Sequence, residues 1–318
     1  MKIAFQNNGL CMFGTTVALY NWAYWGRELF GIEPIIMYCS DSSDTNQTVI
    51  DKFKNTFDNQ VFVYDNIQDI DGILTANKCD YFFMEKGGVW DGVISSVSKN
   101  LVNSIAVCSM NDVHGDVFAT ASRWLSSLVD HKIPFVPYIV HLPKVSKNMR
   151  EELGIPKDAF VFGRNGGMDR FDIMFVKEAI KECIDKRSDI WFVFQCTEKF
   201  IDHERALFLP ASTDLNYKVK FINTCDAMLH ARTLGESFGM ACGEFSICNK
   251  PVITWWESEE RSHIDILGEK GIYYRTKQDV VDILLNISKK DVNNRDWNCY
   301  REYEPEKVMN KFKQVYLT

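Results

Sequence analysis

Short apolar runs, each followed by a loop and then by a stretch with helical spacing, recur along this chain, and that alternation leaves few folds open. Residues 2–6, 34–38, 61–64 and 81–84 read as strands, and 104–107 continues the series. Between them, 15–30, 46–56 and 67–77 carry apolar residues at helical spacing, with Thr15 or Thr16 capping the first. This order predicts a parallel sheet covered by helices on both faces. Residues 119–128 read as a strand turning into a helix capped by Ser122, and 134–142 as the last strand-like run of the series. The polar, proline-led segment 143–147 then reads as a linker. A second series follows it, with a short helix at 150–154. Strands are expected at 159–163, 190–195, 218–222 and 272–274, and helices at 173–184, 263–267, 277–289 and 304–316. A length of 318 residues suits two domains of ordinary size, so the expected fold class is α/β, built as two Rossmann-like halves.

Composition excludes several classes. At 46% hydrophobic and 25% charged, the chain can bury a core, and no repeat or low-complexity tract appears. The net charge of −7 argues against a nucleic-acid partner, although a few local arginines suffice for a small anionic ligand. Ten cysteines are scattered with no C-x-x-C pair and no zinc-type Cys/His spacing, so no metal site is expected. With no signal peptide visible, they read as free thiols of a soluble, cytoplasmic protein. No apolar run approaches the ~20 residues that span a bilayer, and peripheral membrane contact stays open.

The most informative stretch is 226–255, DAMLHARTLGESFGMACGEFSICNKPVITW. Two glutamates, Glu236 and Glu244, stand seven residues apart, and Asn249-Lys250-Pro251-Val252-Ile253-Thr254 reads as a loop feeding a buried strand. Gly235-Glu236-Ser237 reads as a turn into a helix with a small polar cap, which would put Glu244 two turns after Glu236 on roughly the same face. Gly239 and Gly243 clear one face of that helix for something to approach the backbone. A helix N-terminus suits phosphate, whereas carboxylates suit the hydroxyls of a ribose or a sugar.

E-S-F-G-M-A-C-G-E followed by N-K-P-V-I resembles the E-x7-E signature of GT-B glycosyltransferases, most closely the retaining enzymes of glycosyltransferase family 4. The resemblance implies two Rossmann-like domains facing each other across a cleft, here 1–142 and 143–303, with 304–318 as a terminal helix crossing back to the first. It implies a nucleotide-sugar donor, such as a UDP- or GDP-sugar, and a glycan, glycolipid or protein-linked glycan as acceptor, with no metal and no other cofactor. By the same likeness Glu236 holds the transferred sugar, Glu244 the ribose, and amides around Phe238, Gly239 and Met240 the phosphates. Arg232 orients Glu236 or reaches the donor. Gly14 resembles the second glycine of a donor-cleft loop, and His114 a histidine near the reaction centre. Arg164 matches the arginine of a G-R-x-x-x-x-K phosphate motif, whose lysine is replaced here by Asp169, with Arg170 one position later. Retention without an enzymic nucleophile implies front-face attack, in which the leaving phosphate takes the acceptor proton. Two rivals remain: a sugar-nucleotide 2-epimerase of the same fold, and a non-catalytic sugar-nucleotide or glycan-binding protein, which the broken lysine position favours.

Overall fold

The computed structural model describes all 318 residues, and the chain divides into two compact units. The first unit comprises Met1–Ile139 and Glu302–Thr318, the second Val140–Arg301.

The first unit alternates β1 (Lys2–Asn7), α1 (Gly14–Phe30), β2 (Glu33–Cys39), α2 (Gln47–Thr56), β3 (Val61–Tyr64), α3 (Asp69–Asn77), β4 (Tyr81–Lys86), β5 (Lys99–Ser104), β6 (Val117–Thr120) and α4 (Arg123–Ser127). The strands form one sheet in the order β3-β2-β1-β4-β5-β6, every pairing parallel. The apolar runs explain this: Ile3, Ala4, Phe5, Phe82, Phe83 and Met84 are all fully buried, as strands covered on both faces require. Ser122 caps α4, its hydroxyl accepting from the Leu125 amide at 3.2 Å.

The second unit alternates β7 (Phe160–Asn165), α5 (Met174–Cys183), β8 (Ile190–Gln195), β9 (Ala206–Leu209), α6 (Leu215–Thr224), β10 (Ala227–Leu229), β11 (Gly235–Glu236), α7 (Met240–Ile247), β12 (Val252–Trp255), β13 (Glu260–Arg261), α8 (Ser262–Leu267), β14 (Ile272–Tyr274), α9 (Lys277–Asn286) and α10 (Lys289–Asn293). Its six-stranded parallel sheet runs β14-β12-β10-β7-β8-β9, and β11 pairs only with β13. Phe160, Phe162, Phe192 and Phe194 stack through its core, with Phe162 and Phe192 5.2 Å apart. Each such ring contributes roughly 1.5–3 kcal/mol of burial.

The last helix, α11 (Pro305–Tyr316), completes the first unit. Phe312 and Tyr316 are fully buried and lie 5.4 and 5.5 Å from the Phe83 ring. The Tyr316 hydroxyl donates to the Val102 carbonyl and accepts from Asn103 Nδ2, both at 3.0 Å. A buried tyrosine therefore keeps both its hydrogen-bonding roles. No helix is long and apolar enough to cross a membrane, and all ten cysteines are free thiols.

Several local expectations are corrected. Residues 134–142 form no strand beyond one bridge from Phe135 to Thr120, because Pro134 and Pro137 remove two ladder donors, although Val136 and Ile139 are buried. Residues 218–222 lie within helix α6, capped by Asp214, which accepts from the Asn216 amide at 2.8 Å. A short apolar run does not distinguish the two states. The strand expected at 104–107 ends at Ser104, since its buried polar members Asn100 and Asn103 mask its start. Residues 150–154 are hydrogen-bonded turns. There Arg150 donates to the carbonyls of Ala159 and Thr224 and pairs with Asp226 at 2.7 Å.

Candidate functional site

In the second unit, the carboxyl ends of three neighbouring strands carry Asn165, His230 and Thr254, the edge where open α/β sheets bind ligands. The register fixes two of these side by side. Met228 pairs with Val252 and Leu229 with Ile253, so His230 follows directly beside Thr254.

Glu236 is not part of the helix expected to carry both glutamates. It lies on β11, and α7 begins at Met240, with Gly239 rather than Ser237 as its N-cap and no side-chain cap. Gly239 has φ 92°, a left-handed conformation that a side chain resists. A Cβ there would stand 2.8 Å from the Cβ of His263, and one at Gly243 would stand 2.7 Å from the Tyr300 ring. What approaches these two glycines is therefore the protein itself, His263 and Tyr300, and not an open face. Tyr300 also donates to the Phe238 carbonyl at 3.3 Å and packs edge-on against the buried Phe238 ring.

Glu236 is held from two sides. His230 Nε2 lies 3.1 Å from Oε1, and an Arg232 guanidinium nitrogen lies 3.1 Å from Oε2. The side chain is 23% exposed. Burial pushes the carboxyl up, but the hydrogen bond from His230 and the charge of Arg232 outweigh it and hold it down to about 2. Behind His230, Nδ1 meets the Thr254 hydroxyl at 2.8 Å, and that hydroxyl meets His263 Nε2 at 3.0 Å. Burial lowers His263 to about 3, so this fully buried ring is neutral.

Glu244 stands in α7 and is almost wholly buried. Lys218 Nζ lies 2.6 Å from Oε1, and Asn165 Nδ2 donates to Oε2 at 3.3 Å. Arg164, at the end of β7, is 3% exposed and donates to the Cys196 carbonyl at 2.8 Å, the Thr197 hydroxyl at 2.7 Å and the Gly167 carbonyl at 2.6 Å. Burial lowers it to about 10, still charged at neutral pH. Three of its five N–H groups are thus committed within the chain. Arg170 lies in the exposed loop beyond and pairs with Asp169 at 3.3 Å.

The structure therefore gathers Arg232, Glu236, Phe238, Gly239 and Met240 around the start of α7, with Glu244 further along it and Arg164 at the neighbouring strand end. Gly14 and His114 belong to the first unit. Gly14 opens α1 and is exposed. His114 donates through Nδ1 to the Asp112 carbonyl at 2.6 Å, and its Nε2 is buried and without a partner. Its ring lies edge-on to Trp90 and Phe118, at 5.1 and 5.3 Å. Sequence reasoning assigned no role to Lys218, Asn165, Thr254 or His263. The one available signal was position at or just past a strand end, which Asn165 and Thr254 share. No three His, Cys, Asp or Glu side chains are grouped so as to hold a metal ion.

No protein-family model matches this chain, and no curated protein sequence does. Solved structures do match. HepE of Anabaena in complex with UDP-glucose is similar over 99% of this chain and 98% of its own, at 12% identity and a TM-score of 0.75. A glycosyltransferase from Rickettsia africae is similar over 99% and 97%, at 11% identity and a TM-score of 0.67. A UDP-N-acetylglucosamine 2-epimerase from Listeria monocytogenes, so described provisionally, is similar over 100% and 97%, at 14% identity and a TM-score of 0.62. Identity this low establishes the fold alone, and the fold is GT-B, two Rossmann-like α/β units each built on a six-stranded parallel sheet.

Proposed function

We propose that this chain is a glycosyltransferase that passes a sugar from a nucleotide-sugar donor to an acceptor hydroxyl with retention of configuration. The observation that carries the reading is Glu236, an ionised, partly exposed carboxylate hydrogen-bonded by His230 at one oxygen and ion-paired with Arg232 at the other, at the approach to α7. Each oxygen keeps a further lone pair, so Glu236 can accept from sugar hydroxyls without releasing His230 or Arg232. An anion in that position repels phosphate and suits a sugar whose ring gains positive charge as its bond to phosphate breaks.

The remaining roles follow from the chemistry of each group. The uncapped start of α7, from Phe238 to Met240, offers N–H groups to the diphosphate, and Arg164 and Arg170 offset its charge without a metal or another cofactor. Glu244, steadied by Lys218 and Asn165, accepts from the ribose hydroxyls. From the first unit we assign Gly14 to the donor loop and His114 to the transferred sugar. The C1–phosphate bond breaks as the C1–acceptor bond forms on the same face, and the acceptor proton passes to the leaving phosphate oxygen. The solved HepE structures, which hold UDP with glucose and UDP-glucose, support this class of donor. The acceptor we assign to a glycan or a lipid-linked glycan, met inside the cell, with any membrane contact peripheral.

A second reading, a sugar-nucleotide 2-epimerase of the same fold, is favoured by the similar Listeria structure that is provisionally described as a UDP-N-acetylglucosamine 2-epimerase. Incubation with a panel of UDP- and GDP-sugars and glycan acceptors separates the readings. Acceptor-dependent release of nucleoside diphosphate supports transfer; interconversion of the donor sugar at C2 supports the epimerase; binding with neither outcome sinks both.

A further inference from the structure

Glu236 sits at one end of a chain of hydrogen bonds that ends inside the protein. Its carboxylate faces His230 Nε2 at 3.1 Å, His230 Nδ1 faces the Thr254 hydroxyl at 2.8 Å, and that hydroxyl faces His263 Nε2 at 3.0 Å. Beyond His263 the chain stops, since Nδ1 is buried and has no partner. His263 and Thr254 are fully buried and His230 nearly so. Polar groups buried this deeply are costly unless they are satisfied, and three of them lined up behind one carboxylate call for a reason.

The proton positions follow from the two ends. An ionised Glu236 accepts only, so His230 Nε2 carries a proton and donates. A neutral His230 then presents a bare Nδ1, which the Thr254 hydroxyl must fill with its one proton. The Thr254 oxygen in turn accepts from His263 Nε2–H, which leaves His263 Nδ1 as the unpartnered lone pair. The reverse assignment would set a bare His230 Nε2 against an anionic oxygen and bury an orphan N–H on His263. Adding a proton to His230 would aim a second N–H at the Thr254 oxygen and strand either the hydroxyl proton or an N–H on His263 without an acceptor. The buried end thus selects one arrangement out of the alternatives.

We propose that His230, Thr254 and His263 form a one-directional relay of hydrogen bonds that positions Glu236 and fixes it as an ionised acceptor for the sugar. This deepens the transferase reading and rests on it for the sugar, while the relay itself is a property of the free protein. His230 is a positioning residue: it acts through Glu236. The neutrality of His263, which burial lowers to about 3, agrees with the assignment. His230 lies six residues before Glu236 in sequence, yet the parallel pairing of β10 and β12 supplies the third member, Thr254, from 24 residues away.

Two measurements test the proposal. Long-range 1H–15N spectra of the wild-type protein, labelled at its six histidines, should show His230 and His263 both neutral at pH 7 with the proton on Nε2. An Nδ1-protonated or imidazolium form of either ring would overturn it. Kinetics with a titrated nucleotide sugar should show Thr254→Val losing kcat roughly tenfold, the worth of one hydrogen bond, with donor affinity within about twofold of wild type. Thr254→Ser, which keeps the hydroxyl, should restore most of the rate. An unchanged kcat in Thr254→Val, or no recovery in Thr254→Ser, would also overturn it. Should Thr254→Val not fold, the wild-type spectrum and Thr254→Ser decide. A wild-type protein that turns over no nucleotide sugar defeats the transferase reading instead, and the spectrum still judges the relay.

Discussion

Replacing Glu236 by glutamine removes a charge that the second unit is built to hold, and the cost should depend on pH in a defined direction. The carboxyl is held down to about 2 from an ordinary 4.5, because the hydrogen bond from His230 and the charge of Arg232 outweigh the burial that opposes them. A folded-state pKa below the unfolded one means that folding favours the ionised form. The stabilisation is complete above about pH 4.5 and fades as pH falls toward 2. At 1.36 kcal/mol per unit the shift corresponds to roughly 3 kcal/mol at neutral pH, of which about 2 is gone by pH 3. In Glu236→Gln the amide nitrogen must face a donor, either His230 Nε2–H or Arg232, so the variant regains none of it. Urea denaturation of both proteins at about pH 6.5 and pH 3, followed by tryptophan fluorescence, gives the difference at each pH. We expect the wild type to be more stable by roughly 3 kcal/mol at the higher pH and by about 1 kcal/mol at the lower. A gap that stays constant or widens on acidification would refute the placement of Glu236 as an ionised carboxylate in this cluster.

Two other perturbations bear on the same site. Gly239→Ala should destabilise the protein by about 1–3 kcal/mol, since φ is 92° and the new Cβ would lie 2.8 Å from that of His263; a thermal melt unchanged from wild type would remove this constraint. Sugar transfer should survive an excess of chelator, because Arg164 and Arg170 are assigned the compensation of the diphosphate charge; a rate that needs added Mg²⁺ or Mn²⁺ would contradict that assignment.

Much of the fold was legible because strands covered on both faces leave an unbroken apolar trace, and Ile3–Phe5, Phe82–Met84 and Phe192–Phe194 all do so. Segments whose hydrogen bonding breaks that trace were not. Asn100 and Asn103 hide a strand because their side chains bond to backbone and to Tyr316, and Pro134 and Pro137 deny a ladder to a run as apolar as any strand. At the candidate site, the spacing of Glu236 and Glu244 pointed to a single element, and the two lie on different ones. Sequence spacing made one helix of them, whereas Gly239 in a left-handed conformation starts α7 only after Glu236. The partners of both glutamates were hidden for a common reason. Lys218 and Asn165 reach Glu244 from another helix and a neighbouring strand, Thr254 and His263 stand behind the His230 that holds Glu236, and separations of 26 or 79 residues leave no local pattern to read.

Calorimetric titration with a nucleoside diphosphate and with its sugar conjugate, on wild type, Glu236→Gln and Glu244→Gln, tests most directly the claim that the stretch from β11 to α7 holds a nucleotide sugar with its two glutamates in different roles. We expect Glu244→Gln to weaken the nucleoside diphosphate itself by about 1.5–3 kcal/mol, the worth of a hydrogen bond to a charged group. Glu236→Gln should bind the diphosphate like wild type and lose only the extra affinity that the sugar confers. Equal losses for both ligands in both variants, or no binding of any nucleotide sugar by the wild-type protein, would contradict the claim.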